Sequence, residues 1–396
     1  MTSYLIRRLV LFVPTLLGAT FIVFLLLFAS PSSPVDTLLP PDGNMLPSMK
    51  RERQDYLEER YGLHLGPVMQ YFRWLNNISP VGFATWERVV SARVRRDQLR
   101  AEKEAALRAE GMSGRLIDQQ VRQLVVSPSA GDPKLTQPQF KAPDLGRSFF
   151  SNRPVAPIIL EALPVTISLQ MLALPVMIGI ALVSGVWSAQ HRGKTQDVFT
   201  STVLLAIYSI PVIWAGVMMI GFLANVEFVR AFPAAGLHST GSEQMPFLPS
   251  FSGGFKAGWL LDSLWHLTLP AICVAYGGVA FYSKHTRTAL LEALSSDYVR
   301  TARAKGLAER IVLYRHAFRN SLIPLITLAA SFLPALVTGS IVVETIFSLN
   351  GMGRLTIEAL KRNDRELFLS TAVVILILQL VGYLIADILY VLADPR

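Results

Sequence analysis

The sequence has few charged residues and a single cysteine. Only 16% of its 396 residues are Asp, Glu, Lys or Arg, against roughly 25% in an ordinary soluble domain. Because 52% are hydrophobic and the mean hydropathy is +0.41, the composition excludes an ordinary soluble protein and predicts apolar surface that faces lipid. With Cys273 alone, an intrachain disulfide and a cysteine-based metal site are also excluded.

The motifs of several common enzyme sites are missing as well. There is no His-Glu-x-x-His zinc motif and no Gly-x-Ser-x-Gly nucleophile motif. Gly193, Lys194 and Thr195 resemble the end of a phosphate-binding loop, but Ser188 stands where that loop needs a glycine. The histidines are scattered without ligand spacing: His64, His191, His238, His266, His285 and His316. We therefore expect no catalytic residue, no cofactor site and no metal site in this chain.

Six apolar blocks are long enough to cross a membrane. A helical span needs about 20 apolar residues, and a helix satisfies its own backbone polar groups inside hydrocarbon. The first block has no clear cleavage site after it, so we interpret it as an uncleaved span and not as a signal peptide. Several blocks contain proline or glycine, which favours kinked helices around a pathway or simple packing kinks. The predicted spans are residues 9–29, 165–189, 198–225, 264–283, 322–347 and 367–392.

The distribution of Lys and Arg indicates the orientation of these spans. Arg7 and Arg8, then Arg192 and Lys194, and finally eight Lys or Arg against three acidic residues in 284–319 fall on one side if there are six spans. By the positive-inside rule this side is cytoplasmic, which places both termini inside and the long segment after the first span outside. The formal net charge of +9 then reflects topology and not nucleic-acid binding.

The long outer segment contains two predicted helices and a linker. Residues 86–110 and 113–126 have helical patterns, broken near Gly111, and residues 128–143 are typical of a linker. This hairpin either lies solvated on the membrane-side domain or forms a docking surface for an external partner. Neither reading predicts chemistry there.

Three ionisable residues lie within or close to spans: Glu161, Glu344 and Asp387. Burying a charge in a membrane is costly, so such residues are functional candidates by default. All three lie near predicted span ends, which favours snorkelling of the side chain to the interface. No pair of acid and base can be assembled from them.

The segment before the fifth block predicts a helical hairpin. Residues 297–306 form a short helix with Arg303 and Lys305 in its last turn and Gly306 as its C-terminal cap. The helix that follows has an apolar face and a basic face. The apolar face comprises Leu307, Ile311, Tyr314 and Phe318, and the basic face Arg310, Arg315 and Arg319. Such a hairpin either docks in a groove of another protein or lies on the anionic inner leaflet.

The run DYVRTARAKGLAERIVLYRHAFRNSLIPLIT resembles the coupling segment of the dipeptide and oligopeptide permease family of ABC importers. The runs YLIRRLVLFVPTLLGATFIVF, DLGRSFFSNRPVAPIILEALPVTISL, VVETIFSLNGMG and DILYVLADPR resemble further family segments, in the expected order. The resemblance covers nearly all of the chain except about residues 85–142, an insertion longer than the family needs. Where the general importer pattern has Glu-Ala-Ala, this chain has Arg300, Thr301 and Ala302, as the peptide branch commonly does.

The resemblance implies an all-α polytopic membrane protein with the type I ABC importer transmembrane fold, six helices, both termini inside and a large extracytoplasmic insertion after the first helix. Its implied parts are a first transmembrane helix (1–30), an extracytoplasmic segment (31–156) with the hairpin at about 85–142, a permease core (157–392) that includes the coupling segment at about 284–320, and a tail (393–396). Its location is the bacterial inner membrane.

The implied function is that of the first permease subunit of an ATP-driven importer of di- or oligopeptides or peptide-like compounds. The implied partners are a second homologous permease, two ABC ATPase subunits that bind ATP and Mg²⁺, and an extracytoplasmic substrate-binding protein. Nickel complexes and oligosaccharides are alternative cargoes. An ion-gradient-driven secondary transporter would instead need ionisable residues near the midplane and matched broken helices in two halves, and an intramembrane enzyme would need a nucleophile and a base.

Two sets of site residues follow from the resemblance. The residues that dock on the ATPase are Asp297, Tyr298, Arg300, Thr301, Ala302, Arg303, Ala304, Lys305, Gly306 and Leu307. The loop at 344–354 is expected to reach towards the delivered substrate, and its named residues are Glu344, Asn350, Gly351 and Gly353. An ordinary tight turn is the alternative reading of Asn350, Gly351 and Gly353.

Overall fold

The computed structural model describes residues 2–29, 66–83, 138–250, 258–330 and 339–393. The chain divides into two compact units, Met1–Pro41 with Arg147–Arg396, and Asp42–Gly146, and each is considered by itself. The helices predicted at 86–110 and 113–126, and most of the predicted linker at 128–143, lie outside the described residues.

The described residues are mainly helical. Two short π-helical stretches, Ile220–Ala224 and Val312–Phe318, each continue the α-helix that precedes them. In chain order the helices are α1 (Thr2–Phe28), α2 (Pro67–Ile78), α3 (Val155–Gln190), α4 (Thr195–Tyr208), α5 (Val212–Met219), α6 (Gly258–Ser295), α7 (Asp297–Ala304), α8 (Glu309–Ile311), α9 (Arg319–Ala330), α10 (Ile341–Ile346), α11 (Met352–Lys361) and α12 (Arg365–Ala393).

Four of these helices are long and apolar enough to cross a membrane singly. They are α1, α3, α6 and α12, and they match the first, second, fourth and sixth predicted spans. The number rises to five if α4 and α5 count as one broken span. This count covers only the described ranges, and it is lower than the six spans that the sequence predicts.

The third predicted span is a bent helix. α4 and α5 with its π-helical continuation meet at an angle of 88°. Pro211 precedes α5 and has no backbone N–H to donate, so the helical hydrogen bonds are interrupted there. The hydroxyl of Tyr276 on α6 donates to the carbonyl oxygen of Ile210 at 2.6 Å, which gives one carbonyl at the break a partner. A neighbouring helix therefore stabilises the bend.

The fifth predicted span, residues 322–347, is interrupted at Gly339, in agreement with the kinks that proline and glycine inside the blocks favour. α9 is described as far as Ala330, and after residues 331–338 Gly339 has a left-handed φ of +71° and Ser340 has an extended backbone. α10 then begins with the Ser340 hydroxyl accepting a hydrogen bond from the N–H of Val343 at 3.4 Å. Positive φ favours glycine and cannot continue a right-handed helix, so the chain breaks at 339–340.

The α3–α6 pair forms the centre of the larger unit. A β-carbon on Gly185 of α3 would lie 2.6 Å from the carbonyl oxygen of Ser283 on α6, so only glycine permits this crossing. Small residues at helix crossings are typical of membrane proteins. α1 and α12 are joined at both ends, by an ion pair of Arg8 with Asp387 and by the Arg365 guanidinium, 5.8 Å from the centre of the Phe28 ring.

The smaller unit is described at residues 66–83 and 138–146. α2 buries Tyr71 and Trp74. The strands β1 (Val81–Gly82) and β2 (Gln139–Phe140) pair antiparallel, with Val81 opposite Phe140. This arrangement contains no group that suggests chemistry among its described residues.

Candidate functional site

The helix α7 has the start and end that the sequence predicts. Asp297 lies in its first turn and Arg303 in its last, where each charge complements the helix dipole. After Ala304 the chain turns through Gly306, whose φ is +75°. The N–H of Gly306 donates to the Arg303 carbonyl at 2.9 Å, and the N–H of Leu307 to the Ala302 carbonyl at 3.4 Å. This pair of bonds is a Schellman motif, so the predicted glycine cap is confirmed.

The second arm of the hairpin differs from the prediction. Its predicted apolar face is largely exposed: Ile311 is 43% and Tyr314 49% accessible. The buried residues are instead Val312, Leu313 and Ala317. The physical reason is the π-helical stretch Val312–Phe318, because i→i+5 hydrogen bonding rotates the buried face away from the 3.6-residue period that the prediction assumed.

The 297–318 hairpin is fixed to the long helices by an apolar base. Val299 from α7 packs with Val186 from α3, Leu290 from α6 and Val312 from the second arm. Val299, Leu290 and Val312 are fully buried. Fully burying each such side chain contributes about 1.5–3 kcal/mol. Apolar packing therefore holds the hairpin firmly against α3 and α6.

Most of the predicted docking residues lie on the open face of this hairpin. Ala302 is the exception, because it is buried in the apolar base and supports the helix from beneath. The exposed ones are Asp297, Tyr298, Arg300, Thr301, Arg303, Ala304, Lys305, Gly306 and Leu307. A surface of this kind presents charge and one aromatic ring on a rigid support.

An ion pair crosses the turn of the hairpin. The Arg303 guanidinium donates to both carboxylate oxygens of Glu309, at 2.6 and 3.2 Å. This hydrogen bonding lowers the pKa of Glu309 and raises that of Arg303. Beside the pair lies an open cavity of about 650 Å³ between the hairpin and the end of α3. Its lining includes Gln190, His191, Arg310 and Tyr314.

A second polar cluster, which the sequence did not reveal, lies beside the hairpin base. The Asp197 carboxylate, at the start of α4, accepts two hydrogen bonds from Arg287 of α6, at 2.9 and 2.7 Å. It also accepts bonds from the Ser188 hydroxyl and, at 3.0 Å, from the N–H of Gly193. The segment that resembles a phosphate loop thus directs Gly193 to an internal carboxylate. The sequence indicated this cluster only through Asp197, just before one predicted span, and Arg287, just after another.

The second predicted site, at residues 344–354, is organised around Glu344. We expected this residue to snorkel to the interface, and that prediction is wrong, because Glu344 is fully buried. Its carboxyl oxygens accept hydrogen bonds from the Thr166 hydroxyl at 3.0 Å and from the N–H of Arg354 at 2.9 Å. The N–H groups of Gly353 and Ser340 also donate to it. These donors replace water, so burial is tolerated.

The other residues of this loop divide into one exposed tip and two close contacts. Asn350 is exposed, whereas Gly351 and Gly353 are buried. A β-carbon on Gly351 would lie 2.6 Å from both the Glu344 carboxyl carbon and the Thr166 hydroxyl. The glycines are required by this close approach of the backbone to a carboxyl group, which goes beyond an ordinary tight turn.

The remaining ionisable candidates each have a structural partner. Glu161 is exposed and its carboxylate lies 2.7 Å from the Arg153 guanidinium, while Asp387 pairs with Arg8. His266 is buried. Its Nδ1 lies 3.1 Å from the Gly236 carbonyl and its Nε2 3.2 Å from the Ser239 hydroxyl, which also donates to Asp262 at 2.6 Å.

These contacts form structure and not a reactive centre. No group of three or more His, Cys, Asp or Glu within the described ranges is arranged to hold a metal ion. The two features that combine rigidity with an exposed surface are the 297–318 hairpin and the loop held by Glu344.

Comparison with known proteins gives consistent matches. The family described as "Binding-protein-dependent transport system inner membrane component" matches residues 162–396. The oligopeptide transport system permease protein AppB of Bacillus subtilis is 29% identical over 400 residues, which covers 100% of this chain and 99% of AppB. The di/tripeptide transport system permease protein DppB of Pseudomonas aeruginosa is 29% identical over 400 residues, covering 100% and 98%. The inner membrane ABC transporter permease protein YejB of Escherichia coli O157:H7 is 28% identical over 407 residues, covering 100% and 98%.

Proposed function

We propose, from the premise that this chain belongs to the family of binding-protein-dependent transport system inner membrane components, that it is the permease subunit of an ATP-driven importer of di- or oligopeptides or peptide-like compounds. It is a multi-pass protein of the cytoplasmic membrane and a transport subunit. The cargo is inferred from relatives named for oligopeptide and di/tripeptide transport. Nickel complexes and oligosaccharides are the alternative cargoes.

The observation that carries the proposal is the exposed face of α7 on a rigidly held hairpin. Tyr298 and Arg300 project from a helix whose opposite side, at Val299 and Ala302, is buried against α3 and α6. A protein that docks on this face would push directly on two membrane helices. We assign the docking partner as the ABC ATPase subunits, which bind ATP and Mg²⁺.

The positions of the two sites along α3 support a transmembrane arrangement. Thr166 holds the Glu344 loop and Val186 packs against the hairpin. At 1.5 Å per residue these positions are about 30 Å apart, which is the thickness of the hydrocarbon core. The hairpin and the Glu344 loop therefore belong to opposite sides of the membrane. The basic residues of the hairpin assign its side to the cytoplasm.

Six spans with both termini inside complete this topology. The fourth and fifth connections of such a topology place the hairpin inside and residues 348–354 outside. The third and fifth spans are then broken helices, at Pro211 and at Gly339. Breaks of this kind are tolerated where the backbone lines a cavity or packs against protein, which suits a pathway for a polar peptide.

The partners follow from the same reading. A second homologous permease completes the pathway, two ATPase subunits drive it, and an extracytoplasmic binding protein delivers the peptide to the loop that carries Asn350. Closure of the ATPases on ATP would rock the spans between outward-open and inward-open states. The hairpin and the Glu344 loop are connected through α3, which contacts both.

The experiment that tests the docking surface is co-purification after mild detergent extraction of native membranes. We expect the wild-type chain to retain two ATPases and a sister permease. A Tyr298→Asp/Arg300→Asp chain is expected to lose the ATPases but keep the sister permease. Arg192→Asp, an exposed basic residue on a different loop, is the matched control and should behave as the wild type. A wild-type chain that purifies alone would refute the proposal.

The two helix breaks also favour a second candidate, a secondary transporter driven by an ion gradient, since broken helices form ion sites in such proteins. That reading needs a free ionisable group at a break. Glu344, the acidic residue nearest to Gly339, already accepts hydrogen bonds from Thr166 and three backbone N–H groups. The importer therefore agrees better with the geometry.

A further inference from the structure

Glu344 combines three features that are rarely found together. Its side chain is fully buried, its two carboxyl oxygens receive hydrogen bonds from four donors, and the backbone touches it closely at three glycines. The glycines are Gly339, Gly351 and Gly353: a β-carbon on Gly339 or Gly351 would collide with the carboxyl group, and one on Gly353 would lie 3.0 Å from it. A carboxyl group enclosed in this way serves as a fixed acceptor around which backbone is arranged.

The donors come from both ends of the loop and from a distant helix. Ser340 precedes α10, Gly353 and Arg354 begin α11, and Thr166 belongs to α3. Thr166 acts twice, because its hydroxyl donates to Glu344 and accepts from the N–H of Met352 at 2.8 Å. The Thr166 side chain therefore joins α3, α10 and α11 at one point.

The loop between these anchors is also held by apolar side chains, since Leu349 and Met352 are fully buried and Leu349 belongs to the same apolar cluster as Phe347. The carbonyl oxygen of Glu344 accepts from the N–H of Leu349 at 2.8 Å, and the N–H of Gly236 donates to the carbonyl of Phe347 at 3.0 Å. Between them Ser348 adopts a left-handed φ of +52°. This arrangement exposes Ser348 and, at the tip, Asn350.

We propose that Glu344 is a positioning residue for transport: it holds residues 348–354 in one conformation, with Asn350 at the tip, so that the loop meets the loaded binding protein. The role of the loop rests on the proposed function, whereas the anchoring rests on the described contacts alone. Glu344 itself does not contact substrate. Its effect is on the encounter with the binding protein and not on ATP hydrolysis.

The first measurement is the mobility of a nitroxide label at Asn350→Cys, on a Cys273→Ala background, by electron paramagnetic resonance of the purified chain. We expect an immobilised spectrum for the parent. Glu344→Leu removes every acceptor and should give a mobile spectrum. Glu344→Gln keeps one acceptor oxygen and should be intermediate. Thr166→Val should also loosen the loop. Thr345→Val is the matched control, because the Thr345 hydroxyl donates to the Ile341 carbonyl within its own helix.

The second measurement is uptake by the reconstituted complex as a function of the concentration of loaded binding protein. We expect Glu344→Leu to raise the KM for the binding protein about tenfold, the factor that corresponds to 1.4 kcal/mol. Glu344→Gln should restore part of the affinity. A merely structural role would reduce the yield of complex or Vmax, without this graded change in KM.

The outcomes separate the two proposals. An immobilised Asn350 label in Glu344→Leu, or a mobile label with an unchanged KM, overturns the positioning role and leaves the importer intact. A wild-type complex that does not import peptide overturns the importer, while the label spectra still decide whether Glu344 anchors the loop. If Glu344→Leu does not fold, Thr166→Val and Glu344→Gln give the same two readouts.

Discussion

The 297–318 hairpin and the 348–354 loop, each supported by α3, both rest on apolar packing, and the loop alone adds a buried carboxyl group that binds its backbone. The hairpin buries Val299 and Leu290 and leaves its charged side chains in solvent. The loop likewise buries Leu349 and Met352, but a buried carboxyl group also holds its backbone, and it exposes Ser348 and, at its tip, Asn350. Apolar packing has no preferred direction, whereas buried hydrogen bonds favour one geometry.

This difference matches what each element has to do in the proposed importer. The hairpin transmits a push, so it needs rigid attachment to α3 and α6 but no exact orientation of single side chains. The loop presents one tip to a partner, so it needs a defined conformation. Substitutions that act on one element and spare the other test this comparison.

The largest effect is expected from Gly185→Val. The new side chain would overlap the carbonyl of Ser283 and the Cβ of Thr286, both 2.6 Å from the built β-carbon. Because these atoms belong to the helix that supports the hairpin, we expect a loss of about 3 kcal/mol in the free energy of unfolding. Thermal unfolding in detergent measures this loss. Gly179→Val on the same helix, with no atom within 4 Å, should leave the melting temperature nearly unchanged, and equal losses would contradict the close crossing.

A smaller effect is expected from Asp197→Asn, which leaves Arg287 without its carboxylate partner. Loss of a half-buried ion pair and its hydrogen bonds should cost about 2 kcal/mol. Asp297→Asn is the matched control, because the Asp297 side chain is 96% exposed and its ion pair with Arg300 is long, at 3.5 Å. Similar melting temperatures for the two variants would show that the Asp197 cluster does not secure the hairpin base.

On the loop, Gly351→Ala is expected to cost about 1–2 kcal/mol, since the added methyl meets the Glu344 carboxyl and the Thr166 hydroxyl. The effect should be local, with faster protease cleavage at residues 348–354 and normal recovery of the ATPases. Gly277→Ala, where nothing lies within 4 Å, serves as the control. Loss of the ATPases in Gly351→Ala would contradict the independence of the two elements.

The smallest effect concerns the exposed pair of Arg303 and Glu309. The guanidinium lowers the pKa of Glu309, so the pair stabilises the hairpin at neutral pH. That contribution is lost as the pH falls below the ordinary value of the carboxyl group and through its lowered pKa. Glu309→Gln should cost at most about 0.5 kcal/mol and remove a salt-sensitive part of the stability. Unfolding curves of the wild type and Glu309→Gln at pH 7 and pH 4 measure this contribution. A larger loss of unfolding free energy at pH 4 than at pH 7 would contradict the predicted direction.

The sequence predicts local features of this protein well. Asp297, Arg303 and Gly306 are enough to place α7 and its cap, because capping depends on residues a few positions apart. The long apolar runs likewise place α1, α3, α6 and α12, because a run of about 20 apolar residues is itself a local feature of the sequence. Proline and glycine inside the apolar blocks favoured kinks, but average hydropathy over a span does not report how sharply the helix bends at Pro211 or breaks at Gly339.

The polar anchors were beyond sequence reasoning. Glu344 meets Thr166, 178 positions away, and Asp197 meets Arg287, 90 positions away. No local pattern reports such a partner, and a lone acidic residue near a span end looks the same whether it snorkels or is buried. The π-helical stretch at Val312–Phe318 likewise depends on packing against α3 and α6 and not on its own periodicity.

The most direct test of the central claim, that the 297–318 hairpin couples ATP hydrolysis to import, is uptake of a labelled peptide by proteoliposomes that contain the purified complex. The account predicts accumulation that requires both ATP and the binding protein, and its loss in Tyr298→Asp/Arg300→Asp while Arg192→Asp imports normally. Accumulation driven by an ion gradient without ATP, or wild-type import by the hairpin variant, would contradict it.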